Sequence, residues 1–237
     1  TRLARFYRPS YLDKLRVCMD STAARIHEAL QAVALLREQH AADRELMRAS
    51  ADVKRFQAMR FRATYADVLA SSRYKTAAAF FLHELYSDKD YEERDQQFAR
   101  IASTIAKLFP QAVVNTAAAL AEVHALTEKL DDLMAQQWRA SRKSLPDLDD
   151  NARYIVCWQQ VGDMQARQKQ LEVVLLLGTE LNRLTRTAGL RTLLKMMRRP
   201  AAVAGLSSLQ GFLEAGFDAF ARLRGAGDFL TLLQQRD

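Results

Sequence analysis

The four histidines, His27, His40, His83 and His124, are the side chains best suited to ligate a metal or carry a proton near neutral pH. None stands in a His-x-x-x-His pair or a paired Glu-x-x-His spacing, the arrangements that place ligands on one helical face. No metal and no other cofactor is expected. His124 has Glu128 one helical turn on and Asp131 nearly two, so that a carboxylate could orient its imidazole and raise its basicity; the plainer alternative is a helix-surface ion pair. His83 and Glu84 interrupt Phe81-Leu82-His83-Glu84-Leu85-Tyr86, where a polar pair must reach solvent or find a buried partner. His83, Glu84, His124 and Glu128 are therefore candidates for a polar pocket. No residue is assigned a catalytic role, because neither a nucleophile nor a partner acid accompanies them.

The remaining reactive types are scattered. Cys18 and Cys157 are isolated, fit no metal spacing and fall on apolar helical seams, which points to packing. No Cys-x-x-Cys-His attachment site for haem is present. Ser207-Ser208 lies in no nucleophile elbow, and Gly225-Ala226-Gly227 lacks the preceding strand of a phosphate cradle, so it reads as a turn.

A different chemistry is open to Leu190–Arg199. Leu190, Leu193, Leu194 and Met197 recur at i, i+3, i+4 and i+7, while Arg191, Lys195 and Arg198 recur at i, i+4 and i+7 on another face. Arg191, Lys195, Arg198 and Arg199, helped by Arg183 and Arg186, form a candidate anion site for phosphates of nucleic acid or acidic lipid. The competing expectation is that the apolar stripe packs on the bundle and the basic face is merely solvated, with charge favourably placed near a helix C-terminus. Aromatic residues for base stacking are missing from the stretch, which disfavours sequence-specific single-strand recognition.

The elements that would position these groups are helices. Only 8 Gly and 4 Pro occur in 237 residues, and the abundant Ala, Leu, Gln, Arg and Glu are good helix formers. With 49% hydrophobic and 27% charged residues the composition is that of a folded domain. The net charge of +7 is uneven: residues 1–75 carry 15 basic and 8 acidic side chains, residues 76–150 carry 8 and 13, and the remainder 12 and 7. That pattern fits complementary helix faces or a surface for an anionic partner. No apolar run approaches the roughly 20 residues that span a bilayer. The Arg-rich Thr1–Arg8 lacks an apolar signal core, so a cytoplasmic location is expected by default, although a start at Thr suggests that the native beginning is missing.

Periodicity predicts a first helix capped by Ser10, with a seam of Leu12, Leu15, Met19, Thr22, Ile26, Ala29, Val33 and Leu36. A second helix is expected from an N-cap at Ser50 through Phe56, Met59, Phe61, Tyr65, Val68 and Leu69, apolar on more than one side. After Ser71-Ser72 a core helix should run from Tyr74 to Tyr86. Asp90 and Glu93 read as a capping box for a helix bearing Phe98, Ile101, Ile105 and Leu108 and ending at Phe109-Pro110. A long helix with Ala119, Val123, Leu126, Leu130 and Leu133 follows, then a linker at 141–150 containing Pro146, the one plausible boundary within a single domain of residues 1–237. From Asp149 a helix of more than thirty residues is predicted through Tyr154, Cys157, Val161, Met164, Gln168, Leu171, Leu175 and Gly178, a second heptad seam. A short helix between Gly189 and Pro200 and a final one carrying Leu209, Phe212, Leu213, Phe217 and Phe220 complete the chain. The expectation is an all-α, multi-helix bundle of about seven or eight helices with two long heptad-patterned helices, packed within one chain or as a homodimer.

Phe80-Phe81-Leu82-His83-Glu84-Leu85-Tyr86, followed by Asp90 and Arg94-Asp95, resembles an uncharacterised family of bacterial all-helical proteins. Leu120–Leu126 with Leu130-Asp131, and Phe212-Leu213-Glu214 through Phe217 and Phe220 to Gly227, look like the same family, so that the resemblance spans most of the chain after about residue 55. It implies a domain of unknown function and carries over no catalytic residue. The expected function is non-enzymatic: protein–protein interaction or self-association, for which long apolar faces suffice. The alternatives are an anion-binding module for nucleic acid or acidic membrane, and an enzyme or cofactor carrier whose pocket is assembled from distant residues.

Overall fold

The computed structural model describes residues 11–84, 89 and 91–236, with side chains from residue 22 onward except residue 108. Among these the chain is helical, without strands. Its long members are α1 (Tyr11–Ala42) and α6 (Gln111–Ser144), about 48 and 51 Å at 1.5 Å per residue. They lie against each other, with α5 (Glu92–Leu108) beside α1 and α2 (Arg44–Thr64) on α6. Thr22, Ile26, Ala29 and Val33 are buried at the spacings of four, three and four that the α1 seam predicts. The Ser10 cap and the side chains of Leu12, Leu15 and Met19 lie outside the described residues.

The start of α2 corrects the Ser50 cap. Asp43 Oδ1 accepts hydrogen bonds from the backbone N–H of Glu45 (3.0 Å) and Leu46 (3.1 Å), so the helix nucleates there. Ser50 is instead a buried mid-helix residue. Met59 is half exposed, which makes α2 less apolar all round than expected, and Tyr65 separates it from the short α3 (Ala66–Ala70). Next comes α4 (Lys75–Glu84), followed by α5 with Tyr91 at its N-cap and no side-chain cap bond. Asp90 of the expected capping box lies outside the described residues.

The expected second seam is broken. At Gly162 (φ 61°) and Asp163 (φ 46°) the chain turns left-handed, ending α7 (Asp150–Val161) and starting α8 (Met164–Leu184). A left-handed glycine stops a helix without steric strain, and Asp163 then caps the next one by accepting from Ala166 N–H at 3.1 Å. Met164, expected on the seam, is turned into solvent. The segment at 145–149 is a short loop on which α7 folds back against α6; buried Arg153 donates to Ser141 Oγ (3.1 Å) and to the Leu148 carbonyl (2.8 Å).

Gly189 (φ 80°) precedes α9 (Leu190–Met196) as expected, but Pro200 does not end the helical run. It occupies the first turn of α10 (Arg198–Val203), where its missing N–H has no intrahelical acceptor to lose. After α11 (Ser207–Arg222), the Gly225–Gly227 turn leads into α12 (Gly227–Arg236), which the periodicity reading did not include. Twelve helical segments among the described residues thus replace the expected seven or eight, because Tyr65, Gly162 and Met197 divide runs that apolar spacing joins and α12 adds one more.

Three sizeable apolar clusters hold the bundle. One gathers Phe61, Tyr65, Phe81, Phe220, Leu223 and Phe229 where α2, α4, α11 and α12 meet. A second packs Val53, Phe56, Met134, Trp138, Tyr154 and Cys157 between α2, α6 and α7. The third packs Ile26, Phe98, Ala102, Ala118 and Leu209 between α1, α5, α6 and α11. Full burial of each such Phe, Leu or Met contributes roughly 1.5–3 kcal/mol. No helix among the described residues is long and apolar enough to cross a membrane.

Candidate functional site

A cavity of about 950 Å³ is lined mainly by α2, α6, α7 and α8, with Glu84 of α4, Arg94 and Phe98 of α5, Phe212 of α11 and Arg236 of α12 also lining it, and it lies at the upper end of the roughly 300–1,000 Å³ typical of small-molecule sites. The Gly162-Asp163 break separates α7 from α8, and both remain packed on α6. Phe56 and Phe61 of α2, Tyr154 and Trp158 of α7, and Leu171 and Val174 of α8 supply apolar wall. Phe56 and Tyr154 stack with centroids 4.8 Å apart.

One polar wall comes from the stripe His124, Glu128, Asp131 on α6, which recurs at i, i+4 and i+7. Lys54 Nζ donates to both oxygens of Glu128 at 2.8 Å, and Gln57 Nε2 donates to Asp131 Oδ1 at 2.8 Å. Burial pushes the Asp131 carboxyl up to about 6, and the neighbouring Glu128 charge adds to the rise; Lys54, Gln57 and Arg167 oppose it. Gln170 Nε2 donates to Thr127 Oγ1 at 2.7 Å, joining α8 to the same wall.

Arg167 is one of the incompletely satisfied buried groups. Its guanidinium lies 4.9 Å above the Trp158 ring and Nε donates to the Gly162 carbonyl at 3.3 Å, but the buried Nη2 has no hydrogen-bond partner among the described residues. Burial lowers its proton affinity, while Tyr154, Asp131 and Asp163 favour the charged form. A buried guanidinium N–H with no acceptor is costly and marks a place where an oxygen acceptor would be stabilised.

A second polar centre closes the other end. Asp95, from α5, accepts from Arg37 Nη2 (2.5 Å) and Arg94 Nη2 (3.1 Å) and sits 2.8 Å from His124 Nε2. Burial pushes this carboxyl upward, but His124, Arg94 and Arg37 outweigh it and hold it at about 2. Arg94 is sandwiched between Tyr91 (4.1 Å) and Phe212 (4.8 Å).

The sequence candidates are thus redistributed. His124 is oriented by Asp95, from another helix, and not by Glu128 or Asp131 on its own, since Glu128 is occupied by Lys54 and Asp131 by Gln57. His83 is exposed, and its backbone carbonyl accepts from Tyr91 Oη at 3.1 Å. Glu84 reaches the cavity lining and lies 3.2 Å from Lys89 Nζ. His124, Glu128 and Glu84 therefore share one cavity; His83 does not line it. Arg191, Lys195, Arg198 and Arg199 lie apart from it. Arg191 pairs with Asp218 (2.7 Å) and Arg198 with Glu214 (Nε 2.7 Å), both on α11.

Sequence reasoning missed Lys54, Gln57, Trp158 and Arg167. The legible signal was the polar stripe of α6 set within an apolar helix; nothing in the spacing tells which other helices face it. Among the described residues no three His, Cys, Asp or Glu gather to hold a metal ion. The arrangement sets an aromatic and aliphatic wall against a polar one in a single cavity.

A family model described as a domain of unknown function (DUF8198) matches residues 36–237. No curated protein and no solved structure matches the chain.

Proposed function

Because this chain belongs to the DUF8198 family, a domain of unknown function, we propose a function from the cavity itself: it binds a small amphipathic anion, a carboxylate or phosphate carried on an apolar body. The observation that carries this reading is the buried Arg167 Nη2 without an acceptor on the wall of an aromatic-lined cavity. Arg167 stands on that wall with its Nη2 closed to solvent, so that a turn of the guanidinium presents it to the anionic group, while the apolar body lies along Phe56, Phe61, Trp158 and Val174. The cavity supports binding over self-association, since the two-seam argument for a dimer is left with one uninterrupted seam after the break at Gly162.

The test uses two fluorescent probes of similar size, the anionic anilinonaphthalene sulfonate and the uncharged N-phenyl-naphthylamine, titrated into the folded protein. Saturable one-site binding of the anion is expected. Arg167→Met should weaken the anion by roughly 10- to 100-fold, the equivalent of about 1.5–3 kcal/mol for one charge-assisted hydrogen bond. The neutral probe should bind the variant as it binds wild type. Equal loss for both probes, or no change for the anion, refutes the reading.

A further inference from the structure

Residues 181–213 contain six basic side chains, Arg183, Arg186, Arg191, Lys195, Arg198 and Arg199, and no Asp or Glu. Within this stretch α9 and α10 form a nearly continuous rod. Met197 at their junction has right-handed helical backbone, its N–H donates to the Leu193 carbonyl (3.1 Å), and its own carbonyl accepts from Ala201 (2.8 Å). One side of the rod faces the bundle: Leu194 and Leu190 are half-buried and Ala201 is buried.

The opposite side is also apolar. Leu193, Met196, Pro200 and Val203 recur at i, i+3, i+7 and i+10, the spacing of a single helical stripe. They face solvent; Met196 is 68% and Val203 92% exposed. The sequence expectation placed Leu193 on the packed stripe, and it is turned outward instead.

The four basic residues of the segment divide by face. Arg191 and Arg198 are clamped by Asp218 and Glu214 and fasten the rod to α11. Lys195 and Arg199 flank the outward stripe, are exposed, and form no ion pair among the described residues. An apolar stripe uncovered among the described residues and bordered by exposed cations has the composition of a helix that lies in the plane of a bilayer interface, with apolar side chains among the acyl chains and cations at the headgroups.

We infer that the outward face of α9 and α10 docks on an anionic lipid surface, with Met196 and Val203 inserting and Lys195 and Arg199 contacting headgroup phosphates and carboxylates. Charge complementarity selects this occupant: the exposed Lys195 and Arg199 call for an anionic surface, and the exposed aliphatic stripe calls for an apolar phase beneath it. Nucleic acid would use the cations and leave the stripe in water. This inference stands independently of the cavity.

The experiment is co-sedimentation of the full chain with large unilamellar vesicles of phosphatidylcholine, either alone or with about one-third phosphatidylserine. Wild type should partition to the mixed vesicles and stay in the supernatant with phosphatidylcholine alone. The double variant Met196→Ser, Val203→Ser should lose about tenfold or more in partitioning, and Lys195→Ser, Arg199→Ser a similar factor that shrinks as salt rises. All four side chains are exposed, so helical circular dichroism should be unchanged in both variants. Equal binding to neutral and mixed vesicles, or vesicle binding indifferent to Met196→Ser, Val203→Ser, overturns the inference. So does retention on duplex DNA without vesicle binding, which would assign the cations to nucleic acid.

Discussion

Asp131→Asn should stabilise the protein, and by an amount that depends on pH in a way fixed by burial. Asp131 is shut into the wall between α6 and α2, and its carboxyl is raised from 3.8 to about 6. Between those two pH values the unfolded chain has released this proton while the folded chain still holds it. The sign follows: in that window stability falls as pH rises, and above about 6 the penalty stays level. A shift from 3.8 to about 6 corresponds to roughly 3 kcal/mol at about 1.4 kcal/mol per pH unit. Asparagine keeps the shape and the oxygen that accepts from Gln57 Nε2, but cannot ionise. The variant should therefore exceed wild type by less than about 1 kcal/mol at pH 4, about 2 at pH 5 and about 3 at pH 7. Urea unfolding followed by the fluorescence of Trp138 and Trp158, with wild type and variant paired at each pH, measures the difference. A difference that stays constant from pH 4 to 7, or a variant less stable than wild type at pH 7, refutes the argument that desolvation dominates at this carboxyl.

Asp95 titrates in the opposite sense. Held at about 2 by His124, Arg94 and Arg37 in spite of burial, it contributes stability that is present above pH 4 and is lost as pH falls toward 2. Asp95→Ala leaves those three groups without their common anion and should cost about 3–5 kcal/mol at pH 7, measured by the same unfolding assay; a loss below about 1 kcal/mol would show that the cluster is solvated. At the break between α7 and α8, Gly162→Ala meets no close neighbour, the nearest being the Gln159 carbonyl at 3.9 Å, so its whole effect is backbone strain at φ 61° and ψ −115°. It should lower stability by about 1–3 kcal/mol in denaturant unfolding, and a neutral or stabilising result would mean that α7 and α8 can join into one helix.

The all-helical class, the seam of α1 and the buried Val123 and Leu130 of α6 follow from composition and spacing, because they reflect local propensity and the 3.6-residue period. So does the His124–Glu128–Asp131 stripe, since residues four and three apart on one helix share a face whatever surrounds it. Period alone misled at Gly162-Asp163: an apolar pattern can continue through a break, and the left-handed stop and the aspartate cap are conformational signals with no period. Ser50 failed for a related reason, as a better-placed acceptor at Asp43 claimed the cap. What each polar side chain touches was decided by packing. Asp95 reaches His124 from 29 positions away and Lys54 reaches Glu128 across 74, separations that carry no sequence signature without the fold. The cavity likewise depends on side chains that packing brings together from α2, α4, α5, α6, α7, α8, α11 and α12, and on its wall Arg167 holds a buried Nη2 for which the described residues supply no acceptor. In α9 and α10 the sequence showed one apolar stripe and a basic face; the second apolar stripe, of Leu193, Met196, Pro200 and Val203, became visible only in the tertiary structure, where α11 offers Glu214 and Asp218 to Arg198 and Arg191 and Met196 and Val203 stand on the outside.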